Sequence, residues 1–150
     1  MPMNRWVASV AASVVTLSLI APAQILADES ERDDRLFQQL GGLGGIDLIV
    51  EELLVEISRD LRIVEQFAET NVERFRRLLV EQICDISGGP CEYSGDSMEL
   101  VHGGMEITEA EFNALVENLI TAMDTARVPL AAQNRLLRKL AEMRSDIIHQ

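Results

Sequence analysis

The clearest pattern along the chain is a set of apolar positions repeating at steps of three and four. Ile46, Ile49, Val50, Leu53, Leu54 and Ile57 fall on one face of an α-helix, which predicts a strongly amphipathic segment opened by Gly44 and Gly45. Before it, Leu36, Phe37 and Leu40 share one side of the otherwise polar residues 30–40, a short helix ending at Gly41-Gly42. Residues 58–70 are mixed, with Ile63, Val64 and Phe67 as inward anchors. Asn71 is a good N-cap for a third helix, whose apolar face is Val72, Phe75, Leu78, Leu79, Ile83 and Ile86, with Arg74, Arg76 and Arg77 outward. Gly88-Gly89-Pro90 stops it. Thr108-Glu109-Ala110-Glu111 reads as a capping box, with Ile107 and Phe112 as its hydrophobic staple. Phe112, Leu115, Val116, Leu119, Ile120 and Met123 continue that stripe. Pro129 marks the start of a last helix with Leu136, Leu137, Leu140, Met143 and Ile147 on its inner face.

One long stretch, Gly88 to Ile107, shows no period, and a stretch of that length inside a compact domain usually serves a function. It contains His102, one of two histidines; the other is His149. Met98, Val101, Met105 and Ile107 give His102 apolar neighbours, and Gly103-Gly104 should break any helix that carries it. Such an imidazole is either packed or solvated, or it is a metal ligand.

At 150 residues and 47% hydrophobic composition the chain suits one domain with a real core. Aromatic residues are 4%, and runs of β-branched residues are short beyond the first 25 positions, so an all-helical domain is expected. The net charge of −12 disfavours both nucleic acid and an anionic membrane surface as partners. Residues 1–27 have the order of a secretory signal peptide: one positive charge at Arg5, an uncharged apolar run Trp6–Ala23, and small residues at Ala21-Pro22-Ala23 and Ala27. The rival is an uncleaved membrane anchor, the one circumstance in which a membrane would be a partner. Cleavage is the preferred reading. Under either reading the folded part, residues 28–150, lies outside the cytoplasm, in the periplasm, and cleavage leaves 12 basic residues against 25 acidic ones.

The order of motifs resembles a truncated haemoglobin of group 1. Leu36-Phe37-Gln38-Gln39-Leu40-Gly41-Gly42 is similar to the family's opening, and Gly88-Gly89-Pro90 with Tyr93 and Gly95 is similar to its Gly-Gly-Pro-x-x-Tyr-x-Gly. Met98, His102 and Ile107 fall where that family has Met, the iron-binding histidine and Ile, and Val128-Pro129 matches the start of its final helix. The resemblance spans about residues 35–148 and implies a truncated globin fold: two helices over two around a non-covalent, b-type haem. Carried over by position, His102 is the axial ligand and Phe67 packs on the haem. Met98, Val101, Ile107, Phe112 and Leu115 line the proximal pocket, and Tyr93 lies near a propionate. Each of the apolar residues is equally an ordinary core residue, and Tyr93 equally a turn residue. One of Arg74, Arg76 and Arg77 could also meet a propionate, although a solvated basic face suits at least two of them.

The chain departs from the family on the distal side. Where relatives place Tyr and Gln as donors to bound oxygen, Leu54 and Leu79 stand here, with Phe75 at the gate position. Gln82 would supply an amide only if the register were displaced by three. An apolar distal pocket implies weaker oxygen binding, with carbon monoxide less affected, and removes acid–base help near the iron. His149 would reach the iron only if the chain end folded back, which is not expected. Cys84 and Cys91 could bridge in an oxidising compartment or remain thiols, and no Cys-x-x-Cys-His motif indicates covalent haem.

Three function classes follow. A binder of oxygen or another diatomic gas (carbon monoxide, nitric oxide) is favoured. A haem-dependent redox enzyme, nitric-oxide-scavenging or peroxidase-like, is the second; a reductase is a candidate partner of the haem protein. A haemless helical interaction module is the third. No catalytic triad, phosphate loop or zinc set supports other chemistry.

Overall fold

Helix α1, Arg35–Gln39, is barely more than one turn, and it buries Leu36 and Phe37. It gives way to α2, Gly42–Arg59, through Gly41 at φ 91°, a left-handed conformation that favours glycine. The corner is tight: a Cβ at Gly45 would lie 2.0 Å from the Leu40 carbonyl oxygen. The computed structural model describes residues 33–150, so the signal-peptide or anchor reading of residues 1–27 lies outside the described residues.

Helix α2 buries Ile46, Ile49, Val50, Leu53 and Ile57, the face that the three-and-four spacing marks. It begins at Gly42 rather than Gly44, because Leu40 and Gly41 complete the corner first. After it, Val64–Phe67 forms a 3₁₀ turn. Helix α3, Val72–Ile86, starts under an Asn71 cap whose side chain accepts from the Arg74 N–H. Val72 is 54% exposed, not inward as its periodicity suggests. At the first helical position it precedes the part of α3 that packs. Helix α5, Glu109–Thr125, has the full capping box: the Glu111 N–H donates to Thr108 Oγ1 at 3.2 Å and the Thr108 N–H to Glu111 Oε2 at 2.9 Å. Helix α6, Leu130–Ala141, starts directly after Pro129. It ends before Met143 and Ile147, so these inner-face residues belong to the 3₁₀ turn and tail beyond it.

The predicted fold class is correct. Among the described residues there are helices and turns and no strand. Helix α2 packs on α3 and on α5, α5 packs on α6, and α1 closes against α2 and α6, a two-over-two arrangement. Its common core includes Ile46, Ile49, Val50, Ile83, Ala122, Met123, Ala132 and Leu136.

The unpatterned stretch Gly88–Ile107 contains one helical turn, α4, Met98–His102. Two devices tether that stretch. A Cys84–Cys91 disulfide ties its start to the end of α3, closing the alternative the sequence left open. At the other end the chain terminus does fold back, contrary to expectation: the His149 N–H donates to the Ile107 carbonyl at 3.0 Å, and the Gly104 and Glu106 N–H groups to the Gln150 carbonyl at 3.0 and 3.3 Å. The His149 side chain is nevertheless exposed and lines no part of the cavity described next.

Candidate functional site

The helices enclose a predominantly apolar cavity of about 450 Å³, within the roughly 300–1,000 Å³ typical of ligand pockets. Helix α3 supplies Phe75, Leu78 and Leu79 because these positions lie one turn or one residue apart on its inner face. Helix α5 supplies Phe112, Leu115 and Leu119 on the same spacing, and α4 supplies Met98, Val101 and His102. Phe67 meets Phe75 edge to face, ring centres 5.4 Å apart, and the Arg144 guanidinium lies 5.8 Å from the centre of the Phe112 ring.

His102 is the last residue of α4, and its ring is held by the helix it ends. Nδ1 lies 2.8 Å from the Met98 carbonyl oxygen. A carbonyl only accepts, so Nδ1 carries the proton and donates. That leaves the Nε2 lone pair as a ligand, with the ring orientation set by the backbone, as is usual for a metal-binding histidine. Ser97 starts α4 by accepting from the Leu100 N–H at 3.3 Å, and Gly103 ends it.

Tyr93 stands at the cavity edge. Its hydroxyl donates to the Asp96 carbonyl at 3.2 Å and its backbone N–H to Asp85 Oδ2 at 3.3 Å. Burial, then the charge of Asp96, push its hydroxyl pKa above the ordinary value. Gly95 lies close beneath it: a Cβ there would sit 2.2 Å from the Tyr93 hydroxyl oxygen, so the tyrosine ring would have to shift.

The sequence-predicted residues His102, Phe67, Phe75, Leu79, Tyr93, Met98, Val101, Ile107, Phe112 and Leu115 all line this one cavity. Leu54 does not. It packs on the core from the side, and Leu53 faces the cavity instead. Adjacent residues on a helix point about 100° apart, and the rotation of α2 turns Leu53 toward the cavity and Leu54 away from it. Gln82 does reach the cavity, and its amide sits 3.5 Å from Met98 Sδ and 3.6 Å from Met143 Sδ. Of the three arginines, only Arg74 borders the cavity, 4.0 Å from Asp96. Arg76 pairs with Asp47 and Glu51 across to α2, and Arg77 pairs with Glu81.

Sequence reasoning missed Gln66 and Thr70 in the wall. Gln66 donates to Glu111 Oε1 at 2.7 Å. Neither carries a periodic signal, since Gln66 lies in the 3₁₀ turn and Thr70 in the irregular link beyond it. Among the described residues no buried side-chain nitrogen or oxygen lacks a hydrogen-bond partner, and no group of three or more His, Cys, Asp or Glu is placed to hold a metal ion. A lone imidazole in an apolar cavity fits a metal already carried in a macrocycle better than a bare ion.

The family model for bacterial-like globins matches residues 35–149. The chain belongs to the bacterial-like globin family. This globin is 29% identical over 112 residues to the group 1 truncated haemoglobin GlbN of Mycolicibacterium paratuberculosis, covering 75% of this chain and 82% of that protein. It is 28% identical over 115 residues to GlbN of a Nostoc species, covering 77% and 98%. Its fold is that of the Tetrahymena pyriformis truncated haemoglobin in its Fe(III) form: TM-score 0.74, 23% identity, 77% of this chain and 98% of that one. The 2/2 haemoglobin of Synechococcus sp. PCC 7002, in the cyanomet state with covalently attached haem, gives a TM-score of 0.70 at 23% identity, covering 75% and 97%.

Proposed function

We propose that this globin holds a non-covalent haem through His102 and reversibly binds oxygen or another diatomic gas. The observation that carries the reading is the His102 arrangement: a ring fixed by the Met98 carbonyl, with its other nitrogen free, in an apolar cavity. Bound there, haem would supply an iron centre able to take up a diatomic gas.

The protein's residues shape what that centre can do. Phe67, Phe75, Leu79, Phe112 and Leu115 exclude water and pack the macrocycle. Arg74 at the edge suits its carboxylates, whereas Tyr93 beside it would first have to release its hydroxyl from the Asp96 carbonyl. Of the polar groups nearby, Asn71 accepts from the Arg74 N–H, Gln66 donates to Glu111, and the Gln82 amide lies against two thioethers. The part of the α2 and α3 wall formed by Leu53, Phe75, Leu78 and Leu79 carries no side-chain donor for a gas and no acid–base group for turnover. That favours binding over catalysis, and weaker retention of oxygen than a Tyr/Gln wall gives. Export to the periplasm belongs to the same proposal; the leader-like residues 1–27 and the disulfide support it.

The test is haem uptake by the purified chain, followed by absorption spectra of the oxidised, reduced and carbon-monoxide-treated protein. A haem band that shifts with carbon monoxide supports the reading. A chain that takes up no haem overturns it.

A further inference from the structure

Residues 78–126 contain no lysine or arginine, but they contain ten aspartates and glutamates. Five exposed acids lie on either side of α4 or within it: Glu92, Asp96, Glu99, Glu106 and Glu109. Arginines from elsewhere reach two of them. Arg144 pairs with Glu109 at 2.7 Å, and Arg74 stands 4.0 Å from Asp96. Glu92, Glu99 and Glu106 have no ion-pair partner among the described residues, so their field is uncompensated.

In the middle of these acids stands exposed apolar surface. Leu100 is 75% exposed, and Val101 and Met105 beside it are exposed as well. Val101 and Met105 also line the cavity, so this patch is its rim. Leu100 lines nothing and packs on nothing in the core. An apolar centre within an acidic ring, next to a cavity, has the layout of a docking surface for a protein of opposite charge. A second copy of this chain would bring −12 against −12, and an anionic lipid surface would be repelled in the same way.

We propose that this face docks a basic electron-donor protein, with Leu100 at the centre of the contact and Glu99 and Glu106 facing the donor's lysines. The proposal rests on the haem reading, since a donor has a purpose only if a redox-active centre sits behind the rim. In the step this contact would serve, the donor is oxidised by one electron and the haem iron that His102 would hold is reduced by one, from ferric to ferrous; no bond forms and no proton moves. The acids steer the encounter, and Leu100 holds the complex once formed.

The probe is a small basic c-type cytochrome, titrated calorimetrically into the purified full chain. The titration is run at about 10 mM and about 100 mM ionic strength, where screening lengths are about 30 and about 10 Å. Binding at low salt should weaken at high salt. Leu100→Ser, on a side chain outside the cavity, should weaken binding about tenfold at either salt. Glu99→Gln/Glu106→Gln should weaken binding about fivefold at the low ionic strength, whereas the charge-matched control Glu51→Gln/Glu56→Gln on α2 should change affinity less than about twofold. Absence of binding, or equal loss in the control pair, overturns the proposal. So does a homodimer, seen in sedimentation, that Leu100→Ser dissolves. Absorption spectra of the same samples separate the two readings. A missing haem band refutes the haem site, whereas a normal band with binding indifferent to Leu100→Ser refutes the docking face alone.

Discussion

Gln82 is the buried polar residue of α3, and replacing it tests whether its amide serves packing or ligand. Its Nε2 has two sulfur neighbours, Met98 Sδ at 3.5 Å and Met143 Sδ at 3.6 Å. Thioethers are weak acceptors. A good hydrogen bond returns a net of about 0.5–1.5 kcal/mol, and contacts to sulfur return less. Removing an amide from water costs about 1–3 kcal/mol on mutational scales. The balance at Gln82 is therefore unfavourable by about 1 kcal/mol. Gln82→Leu keeps the bulk, discards the amide and should raise stability by about that amount, or about 3–5 °C in Tm. Guanidinium unfolding of the haem-loaded variant measures the first, and stopped-flow oxygen release the second. Because the amide lies on the side of Met98, whose carbonyl holds His102, oxygen release should change less than about twofold. Destabilisation by more than about 1 kcal/mol, or release accelerated about tenfold, would refute the reasoning and make Gln82 the ligand's donor.

The other predictions concern the wall, the tether and pH. Leu79→Gln places a donor on the apolar wall and should slow oxygen dissociation about tenfold, the value of one hydrogen bond to a partly charged acceptor; unchanged release in a rapid-mixing trace would contradict it. Denatured without reductant, the protein should show no free thiol, and reduction should lower stability by about 2–3 kcal/mol, the closure entropy of so short a loop. Asp60, hydrogen-bonded by Arg62 and then by Asn118, has its carboxyl held well below the usual carboxylate range. A group depressed in the folded state stabilises fully above its unfolded pKa of about 4, and that contribution is lost as pH falls through the folded value. Stability should therefore decline below about pH 4, less steeply in Asp60→Asn, and equal slopes in acid titrations of the two proteins would exclude the pair as a cause.

What was legible in the sequence was what a period writes. Ile46 to Ile57 announces α2, Thr108 and Glu111 announce the start of α5, and Gly88-Gly89-Pro90 announces the end of α3, because each rests on local geometry. The site was legible through motif order, since His102, Tyr93 and Phe67 come from three unrelated segments that no local rule brings together. What stayed hidden depends on tertiary placement. The choice between Leu53 and Leu54 turns on the rotation of α2, to which an ungapped comparison is blind. The aim of Gln82 into the cavity and the return of His149 and Gln150 onto residues 104–107 are long-range contacts without a sequence period. Pairing of Cys84 with Cys91 needed the turn between them to be folded first.

The central claim is that His102 holds a haem, and its most direct test is a pair of absorption spectra, for wild type and His102→Ala, each oxidised, reduced and exposed to carbon monoxide. The account predicts a strong haem band in the wild type that shifts with carbon monoxide, and its loss or displacement in His102→Ala. A wild-type chain that stays colourless with added haem would contradict it, as would a variant with the wild-type spectrum in all three states.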